Sequence, residues 1–229
     1  MRNNFKSVIL AAGFAAASVV GASAATVIDF TDHSVVGSTN GLTSVSGSLG
    51  GGVDWTLSAV GGTLNVNTAT DAPNAAAAAG LVYDNDGVGV EDGNGDDEVT
   101  NDGEALILEF SRAVFLQAVS FLDLFVDASA ESALSYDDVT GDLIVETFAT
   151  GNAAGFSTQN VADLEVKRIR FVPGAGADDT SRDFALATVD LRSSDGNVPD
   201  TVPLPAAGLL LAGALGGLGV ARRRKSKES

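Results

Sequence analysis

The sequence contains no cysteine, one histidine, and only six Lys or Arg residues between positions 25 and 201. Without cysteine, an exported domain has no disulfide to stabilise it. Zinc sites built on Cys, or on several His side chains, are excluded. Binding to nucleic acid depends on Lys and Arg contacts to phosphates, which this part of the chain has little capacity to make. We therefore expect neither a zinc centre nor a nucleic-acid partner.

Acidic side chains, by contrast, are abundant. Of the 30 Asp and Glu residues, 29 lie between positions 25 and 201, which with the six cations there gives this part a net charge of −23, against −17 for the whole chain. A body with that charge repels itself unless cations screen it or bind to it. Its 177 residues are enough for one domain with a hydrophobic core.

The N-terminus has the three parts of a secretory signal peptide. Arg2 and Lys6 make the start positive, residues 8–20 form a run of 13 without charge, and small residues follow it. The run is too short to span a bilayer as a permanent anchor. We predict that residues 1–24 are a signal peptide and that signal peptidase cuts after Ala24. The predicted cleavage site is formed by Ala22, Ala24 and Ala25.

The C-terminus combines a proline motif, an apolar run and a cluster of cations. Residues 202–206 read Val-Pro-Leu-Pro-Ala, and residues 207–221 carry no charge. A helix over residues 205–221 would rise about 26 Å, close to the ~30 Å hydrocarbon core of a bilayer. The positive-inside rule places the cations after it in the cytoplasm and the larger part of the chain outside. These cations are Arg222, Arg223, Arg224 and Lys225.

This order of motif, short glycine-rich apolar helix and arginine cluster resembles the VPLPA variant of the PEP-CTERM sorting signal of Gram-negative bacteria. The resemblance covers residues 202–229 and implies export with transient retention in the inner membrane. It also implies cleavage near the motif by an exosortase-type enzyme and delivery to the cell surface or extracellular matrix. It implies nothing about the activity of the remaining chain. The motif residues are Val202, Pro203, Leu204, Pro205 and Ala206.

The body between the two ends is predicted to consist of strands. Residues 42–48 and 53–60 alternate apolar with small polar side chains, as half-buried strands do, and glycines mark the turns between them. The run over residues 114–126 is long for one strand and predicts a bulge or a crossing between sheets. The other predicted strands span 26–30, 62–68, 105–110, 143–148, 164–172 and 184–191, and residues 81–83 are predicted to be short and extended.

This pattern predicts an all-β domain, a jelly-roll-like β-sandwich. The predicted order is a signal peptide over 1–24, the acidic sandwich over 25–192, a polar linker over 193–201, and the sorting signal over 202–229. Residues 98–110, 118–121 and 183–189 resemble β-sandwich domains common among PEP-CTERM proteins, which often close with Asp-Asp-Phe-Ala-Leu-Asp-Asn-Val. Here Ala187 and Thr188 stand where that pattern has Asp and Asn, so no ligand role is carried over to them.

Residues 84–104 hold nine carboxylates, no cation and interleaved glycines, which predicts a loop. Acidic and amide side chains alternate over residues 92–98 and offer the oxygen ligands that Ca²⁺ prefers. The EF-hand pattern fails, because Asp97 replaces its glycine and Gly103 stands in place of its last Glu. We predict a Ca²⁺ site, and the alternative is a solvated loop that binds no specific ion. The predicted ligands are Asp84, Asp86, Asp92, Asn94, Asp96, Glu98 and Glu104.

Enzymatic chemistry has few candidates. His33 lies in a Gly/Ser/Thr-rich segment with no nucleophile-elbow motif, and we expect it at the surface. Paired carboxylates of the glycosidase type carry no information in so acidic a chain. We therefore predict a non-catalytic surface or matrix protein. The alternatives are a module that binds extracellular polysaccharide, with Trp55, Tyr83 or Tyr136 as its sugar platform, and a carboxylate-based hydrolase. A lone Trp on an alternating strand is, however, more often in the core.

Overall fold

The structure is a computed structural model, and it describes residues 26–49, 51–66, 80–93, 98–100, 103–126, 131–151, 155–174 and 183–193. Across these ranges the chain forms ten strands and one single-turn helix. They are β1 (Thr26–Asp29), α1 (His33–Val36), β2 (Ser44–Ser48), β3 (Asp54–Val60), β4 (Thr63–Asn65), β5 (Gly89–Glu91), β6 (Ala105–Leu122), β7 (Ser132–Asp137), β8 (Leu143–Phe148), β9 (Ser157–Pro173) and β10 (Ala185–Ser193).

Eight of the strands form one antiparallel sheet around β6 and β9. Its order is β1-β10-β6-β9-β7-β8. Opposite β9, the other side of β6 is shared: β3 pairs with its first part, β10 pairs with its second part, and β2 lies outside β3. The strands β4 and β5 form a separate pair. The described chain is therefore predominantly β, as the sequence predicts.

The long pair of β6 and β9 contains two irregularities. From Glu109 to Val114 on β6, the partner on β9 moves only from Arg168 to Val166. A second register shift follows between Leu116 and Ala118, this time with extra residues on β9. Such bulges bend a strand and increase its twist. The predicted bulge is therefore confirmed, although two predicted strands, 105–110 and 114–126, are in fact one.

The bend brings the two parts of the sheet face to face. Phe30, directly after β1, packs against Trp55 of β3 with ring centroids 5.7 Å apart and an interplanar angle of 84°. Because β1 belongs to the β10 side and β3 to the first part of β6, this contact joins the two faces. The result is sandwich-like, with one core between the faces. Its largest fully buried side chains include Phe30, Phe110, Phe121, Phe171, Phe184, Leu57, Leu106, Leu108 and Leu116.

Three elements were not predicted, namely α1, β5 and β7. The strand β7 reads Ser-Ala-Leu-Ser-Tyr-Asp, whose small polar residues give no strand alternation. The helix α1 is a single turn, too short for any periodicity, and the Asp32 carboxylate caps it by accepting the Ser34 N–H at 2.7 Å. In addition, β9 begins at Ser157 rather than at 164, because exposed polar residues there still pair along β6.

The prediction that residues 84–104 form one loop is wrong. Residues Gly89–Glu91 form β5 against β4, and Val88, Val90 and Val99 are fully buried. Burial of a valine side chain contributes roughly 1.5–3 kcal/mol, so three of them hold this segment against the core despite its charge. Asn85, Asp86 and Glu104 are drawn in with them.

Both chain ends lie outside the described residues. These ends include the predicted signal cleavage site, the sorting motif at residues 202–206 and the cations at residues 222–225. Among the residues that the structure does describe, no helix is both long and apolar enough to cross a bilayer.

Candidate binding groove and acidic segment

The start of the acidic segment, residues 84–104, is held at the end of β1 by hydrogen bonds. The Asp29 carboxylate accepts the backbone N–H of Thr31 through Oδ1 and that of Val82 through Oδ2, both at 2.9 Å. The hydroxyl of Thr31 accepts the N–H of Tyr83 at 3.0 Å, and its carbonyl accepts the N–H of Asp84 at 2.9 Å. Asp29 therefore acts as a structural acceptor that joins the end of β1 to Val82, 53 residues further along the chain.

The predicted Ca²⁺ ligands take different positions. Asp84 and Asp92 are exposed, Asp86 is buried and Glu98 is half-buried. The N–H of Val90 donates to the carbonyl of Glu98 at 3.2 Å. This hydrogen bond closes one connection in the chain, which contains both Asp92 and Glu98. No three Asp, Glu or His side chains are grouped as a metal site within the described ranges. The predicted ligands Asn94 and Asp96 lie outside those ranges.

Glu104, the last predicted ligand, has a local partner. It is 3% exposed, and its Oε2 accepts the backbone N–H of Thr100 at 2.8 Å and the Thr100 hydroxyl at 3.1 Å. Beside it, the N–H of Val99 donates to the carbonyl of Phe184 at 2.8 Å. The Glu104 carboxylate thus holds the end of the acidic segment where β6 begins.

The three aromatic residues considered as a sugar platform are now separated. Trp55 is 4% exposed and Tyr83 is 8% exposed, so both belong to the interior. The indole of Trp55 lies over Gly47, its direct partner on β2, so closely that a Cβ at that position would overlap the ring. Tyr136 alone of the three is half-buried at the surface. Trp55 therefore packs mainly in the core, as a lone Trp on an alternating strand often does, and its remaining exposed part lines a second groove of about 380 Å³.

A groove of about 310 Å³ opens on the outer face where β7 pairs with β9. Side chains directly opposite each other in an antiparallel pair share one face. Ser135 and Phe171 are opposite and buried, so the next pair, Tyr136 and Arg170, faces outward. The groove is lined by Tyr136, Asp137, Asp138, Gly141, Arg170 and Val172.

One wall of the groove is a braced turn after β7. The Asp137 carboxylate accepts the N–H of Val139 at 2.9 Å and of Thr140 at 3.3 Å, and its carbonyl accepts the N–H of Gly141 at 2.7 Å. Gly141 has a φ of 80°, a left-handed conformation that glycine adopts without steric cost. Asp137 is therefore engaged in holding the turn.

The same turn is clamped to β9 by a charge pair. The N–H of Asp138 donates to the carbonyl of Arg168 at 3.1 Å, and Arg168 Nε lies 2.9 Å from Asp138 Oδ2. The Nε–H does not point at that oxygen, so the contact is an ion pair rather than a hydrogen bond. The charge of Asp138 is thereby matched by the neighbouring arginine.

Arg170 is the remaining charge in the groove. Its Nε is buried and has no hydrogen-bond partner, and its guanidinium forms no ion pair with any carboxylate in the described part of the chain. Its two neighbours in the groove, Asp137 and Asp138, are already engaged in the turn and with Arg168. Arg170 is therefore the cation that the groove offers to a partner, and the carboxylates of Asp137 and Asp138 lie in the same lining.

Beyond the groove the outer face continues across β6 to β3 and β2, where its side chains are small and polar. Arg170 lies opposite Ile107 of β6, which lies opposite Ser58 of β3, which lies opposite Ser44 of β2. In the next row the hydroxyls of Ser46 and Thr56 are 2.8 Å apart. A band of hydroxyl groups therefore lies on the same face, with Ile107 and Glu109 of β6 between it and the groove.

The two arginines of this face were not selected from the sequence. The signal was present in residues 167–170, Lys-Arg-Ile-Arg, because half of the cations of residues 25–201 occur there. Arg168 and Arg170 are two positions apart, which places them on the same face of a strand. His33 is exposed on α1, as expected.

One carboxylate outside the groove has a perturbed proton affinity. Asp190 of β10 lies between Val27 of β1 and Ala118 of β6. Burial raises the pKa of its carboxyl above the ordinary value, because the charged form loses hydration there.

Comparison with known proteins gives no family for this chain. No model of a known protein family matches it, and no curated protein matches it either. The groove and the acidic segment therefore have to be interpreted from their own residues.

Proposed function

We propose that this protein is exported and sorted to the cell surface or extracellular matrix, where its β-rich body acts without catalysis. The observation that carries the proposal is the order of Val-Pro-Leu-Pro-Ala, apolar run and Arg/Lys cluster over residues 202–225, opposite a signal-peptide pattern over residues 1–24. Signal peptidase removes the first end. The inner membrane holds the second end until an exosortase-type enzyme cleaves near residues 202–206.

In this proposal the body is a jelly-roll-like sandwich. The bend in β6 and β9, and the contact of Phe30 with Trp55 across the two faces, support that arrangement. Such a domain needs no disulfide when its core is large, which suits an exported chain without cysteine.

The non-catalytic part rests on how the carboxylates are used. Asp29, Glu104 and Asp137 each accept backbone N–H groups that hold a loop or a turn in place. Carboxylates engaged in this way are structural acceptors rather than groups poised to move protons. They support a scaffold role for the body.

Calcium is the proposed cation partner of the acidic segment. Asp92 and Glu98 lie in one connection closed by the Val90–Glu98 hydrogen bond, and a divalent ion there would reduce repulsion within a body of net charge −23, from 29 acidic and six basic residues. The ion would supply structural stability and take no part in a reaction.

A second candidate function is binding of extracellular polysaccharide. The groove beside Tyr136 favours it, because a half-buried aromatic ring, a cation and a band of hydroxyls lie on one open face. This role is compatible with sorting to the surface, since such polymers occur there.

The sorting proposal is tested by replacing the two prolines of the motif. We expect Pro203→Ala combined with Pro205→Ala to trap the full-length chain in the membrane fraction. Pro199→Ala, a few residues upstream, is the matched control and should mature normally. The readout is the size and location of the chain after membrane fractionation. Unchanged maturation of the double variant would contradict the proposal.

A further inference from the structure

We propose that the groove between Tyr136 and Arg170 binds an acidic sugar, a hexuronate residue of a polysaccharide. Its carboxylate would lie on the Arg170 guanidinium and its ring against Tyr136. This inference rests on the proposed function only for bringing the protein to where such sugars occur, and it deepens the polysaccharide-binding role by naming the site and the charge of the ligand.

Arg170 has no carboxylate partner in the described residues of a strongly acidic chain. The chain has 29 carboxylates and six cations between residues 25 and 201, yet Arg170 forms no ion pair within the described part of the chain. Its buried Nε also has no acceptor there. A carboxylate matches the planar fork of a guanidinium with two parallel hydrogen bonds.

The side chains that line the groove are held in place before a ligand binds. Asp137 is engaged in its turn, and the charge of Asp138 is matched by Arg168 at 2.9 Å. Neither carboxylate has to be displaced from Arg170 before a ligand anion binds. Because the turn is braced at both Asp137 and Asp138, little ordering cost remains at binding.

The surroundings of Arg170 suit a sugar better than a peptide carboxylate. Tyr136 and Val172 supply an apolar floor for the C–H face of a ring, and Asp138 offers an acceptor for a ring hydroxyl. Beyond Arg170 and Ile107 the same face presents the hydroxyls of Ser58 and Ser44. A hydroxyl-rich chain fits this surface best.

The acidic body opposes a polyanion at long range. The Debye length is about 8 Å at physiological ionic strength, so distant carboxylates are largely screened, whereas Asp137 and Asp138 in the groove itself still oppose an anion on Arg170. The groove therefore suits short acidic saccharides near 0.15 M salt, and the binding test belongs at that ionic strength.

The test is calorimetric titration of the full chain in detergent micelles with tetragalacturonate and with a glucuronate-containing hyaluronan tetrasaccharide. The variants are Arg170→Gln, which removes the charge, and Arg170→Lys, which keeps it without the fork. Lys167→Gln is the matched control, since it removes an exposed cation from the same strand. The neutral methyl esters of the saccharides control for ligand charge.

We expect at least one acidic saccharide to bind, and Arg170→Gln to raise its Kd about tenfold or more. Arg170→Lys should weaken binding less, Lys167→Gln should leave it unchanged, and the methyl ester should bind about tenfold more weakly. The proposal is overturned if neither saccharide binds, if Arg170→Gln binds as the wild type does, or if the methyl ester binds equally well. Tighter binding of a peptide with a free C-terminal carboxylate would assign the groove to a protein partner. None of these failures touches the sorting test on Pro203 and Pro205.

Discussion

The rings of Phe121 and Phe171 pack edge to face with their centroids 5.9 Å apart, although they come from opposite ends of the β6–β9 pair. Phe171 lies opposite Leu106, whereas Phe121 lies opposite Ser157. A straight strand from Leu106 to Phe121 would separate the two places by roughly 50 Å. The pair is therefore folded back on itself, and the two rings hold its halves together.

Removal of one of these rings should strongly destabilise the body. Phe171→Ala leaves a cavity where both faces meet, so we expect a loss of about 3–5 kcal/mol in the free energy of unfolding. Phe148→Ala is the matched control, because Phe148 is 53% exposed on the edge strand β8 and should cost far less. Urea unfolding of the full chain in micelles, followed by fluorescence of the single tryptophan, measures both. Equal losses would contradict the folded-back arrangement.

The close contact of Gly47 with Trp55 gives a second prediction. A methyl group at position 47 overlaps the indole, so Gly47→Ala should lower the free energy of unfolding by about 1–3 kcal/mol. In a Trp55→Leu background the overlap is gone, and the same change should cost much less. Circular dichroism during thermal unfolding gives both values. A loss of the same size in the two backgrounds would show that the indole does not fill this space.

Local sequence patterns predict many of the strands, but they do not predict how the sheet folds back on itself. Strand 143–148 is predicted to the residue, and Leu64 and Val66 share a buried face as alternation requires. The merging of two strands into β6, by contrast, depends on pairing with β9, which local patterns do not encode. The strand β7 could not be predicted either, because its small polar residues form a strand only through pairing with β8 and β9.

The acidic segment and the groove show the same limit. The many carboxylates of residues 84–104 favoured a loop, but part of this segment packs against the core because three of its valines are buried. The choice among Trp55, Tyr83 and Tyr136 required knowing which of these side chains the fold buries. The lack of an ion pair at Arg170 depends on how neighbouring carboxylates are used, which only the folded chain reveals.

Asp190 makes the stability of the body depend on pH. Its raised pKa means that the folded state holds this proton more tightly than the unfolded state does. The free energy of unfolding should therefore fall as the pH rises from the ordinary Asp value of about 3.9 through the raised folded-state value.

The replacement Asp190→Asn should reduce that fall and increase stability at neutral pH, because no charge is then buried. Asp142→Asn, at an exposed position, is the control. Melting temperatures of the full chain across that pH range provide the test. Parallel pH profiles for Asp190→Asn and the wild type would count against the assignment.

Calcium should stabilise the full chain. Because Ca²⁺ would neutralise carboxylates in the acidic segment, millimolar Ca²⁺ should raise the melting temperature above that in EDTA. Asp92→Asn with Glu98→Gln should remove this increase, whereas Asp142→Asn should retain it. A melting temperature no higher in Ca²⁺ than in EDTA would rule out the calcium proposal.

The central claim is that the chain is exported and processed at both ends, and mass spectrometry of the mature protein from its native cells tests it most directly. The account predicts an N-terminus at Ala25, a C-terminus near residues 202–206, and recovery from the cell surface or the extracellular matrix. A mature chain found in the cytosol, with residues 1–24 and 207–229 still attached, would contradict it.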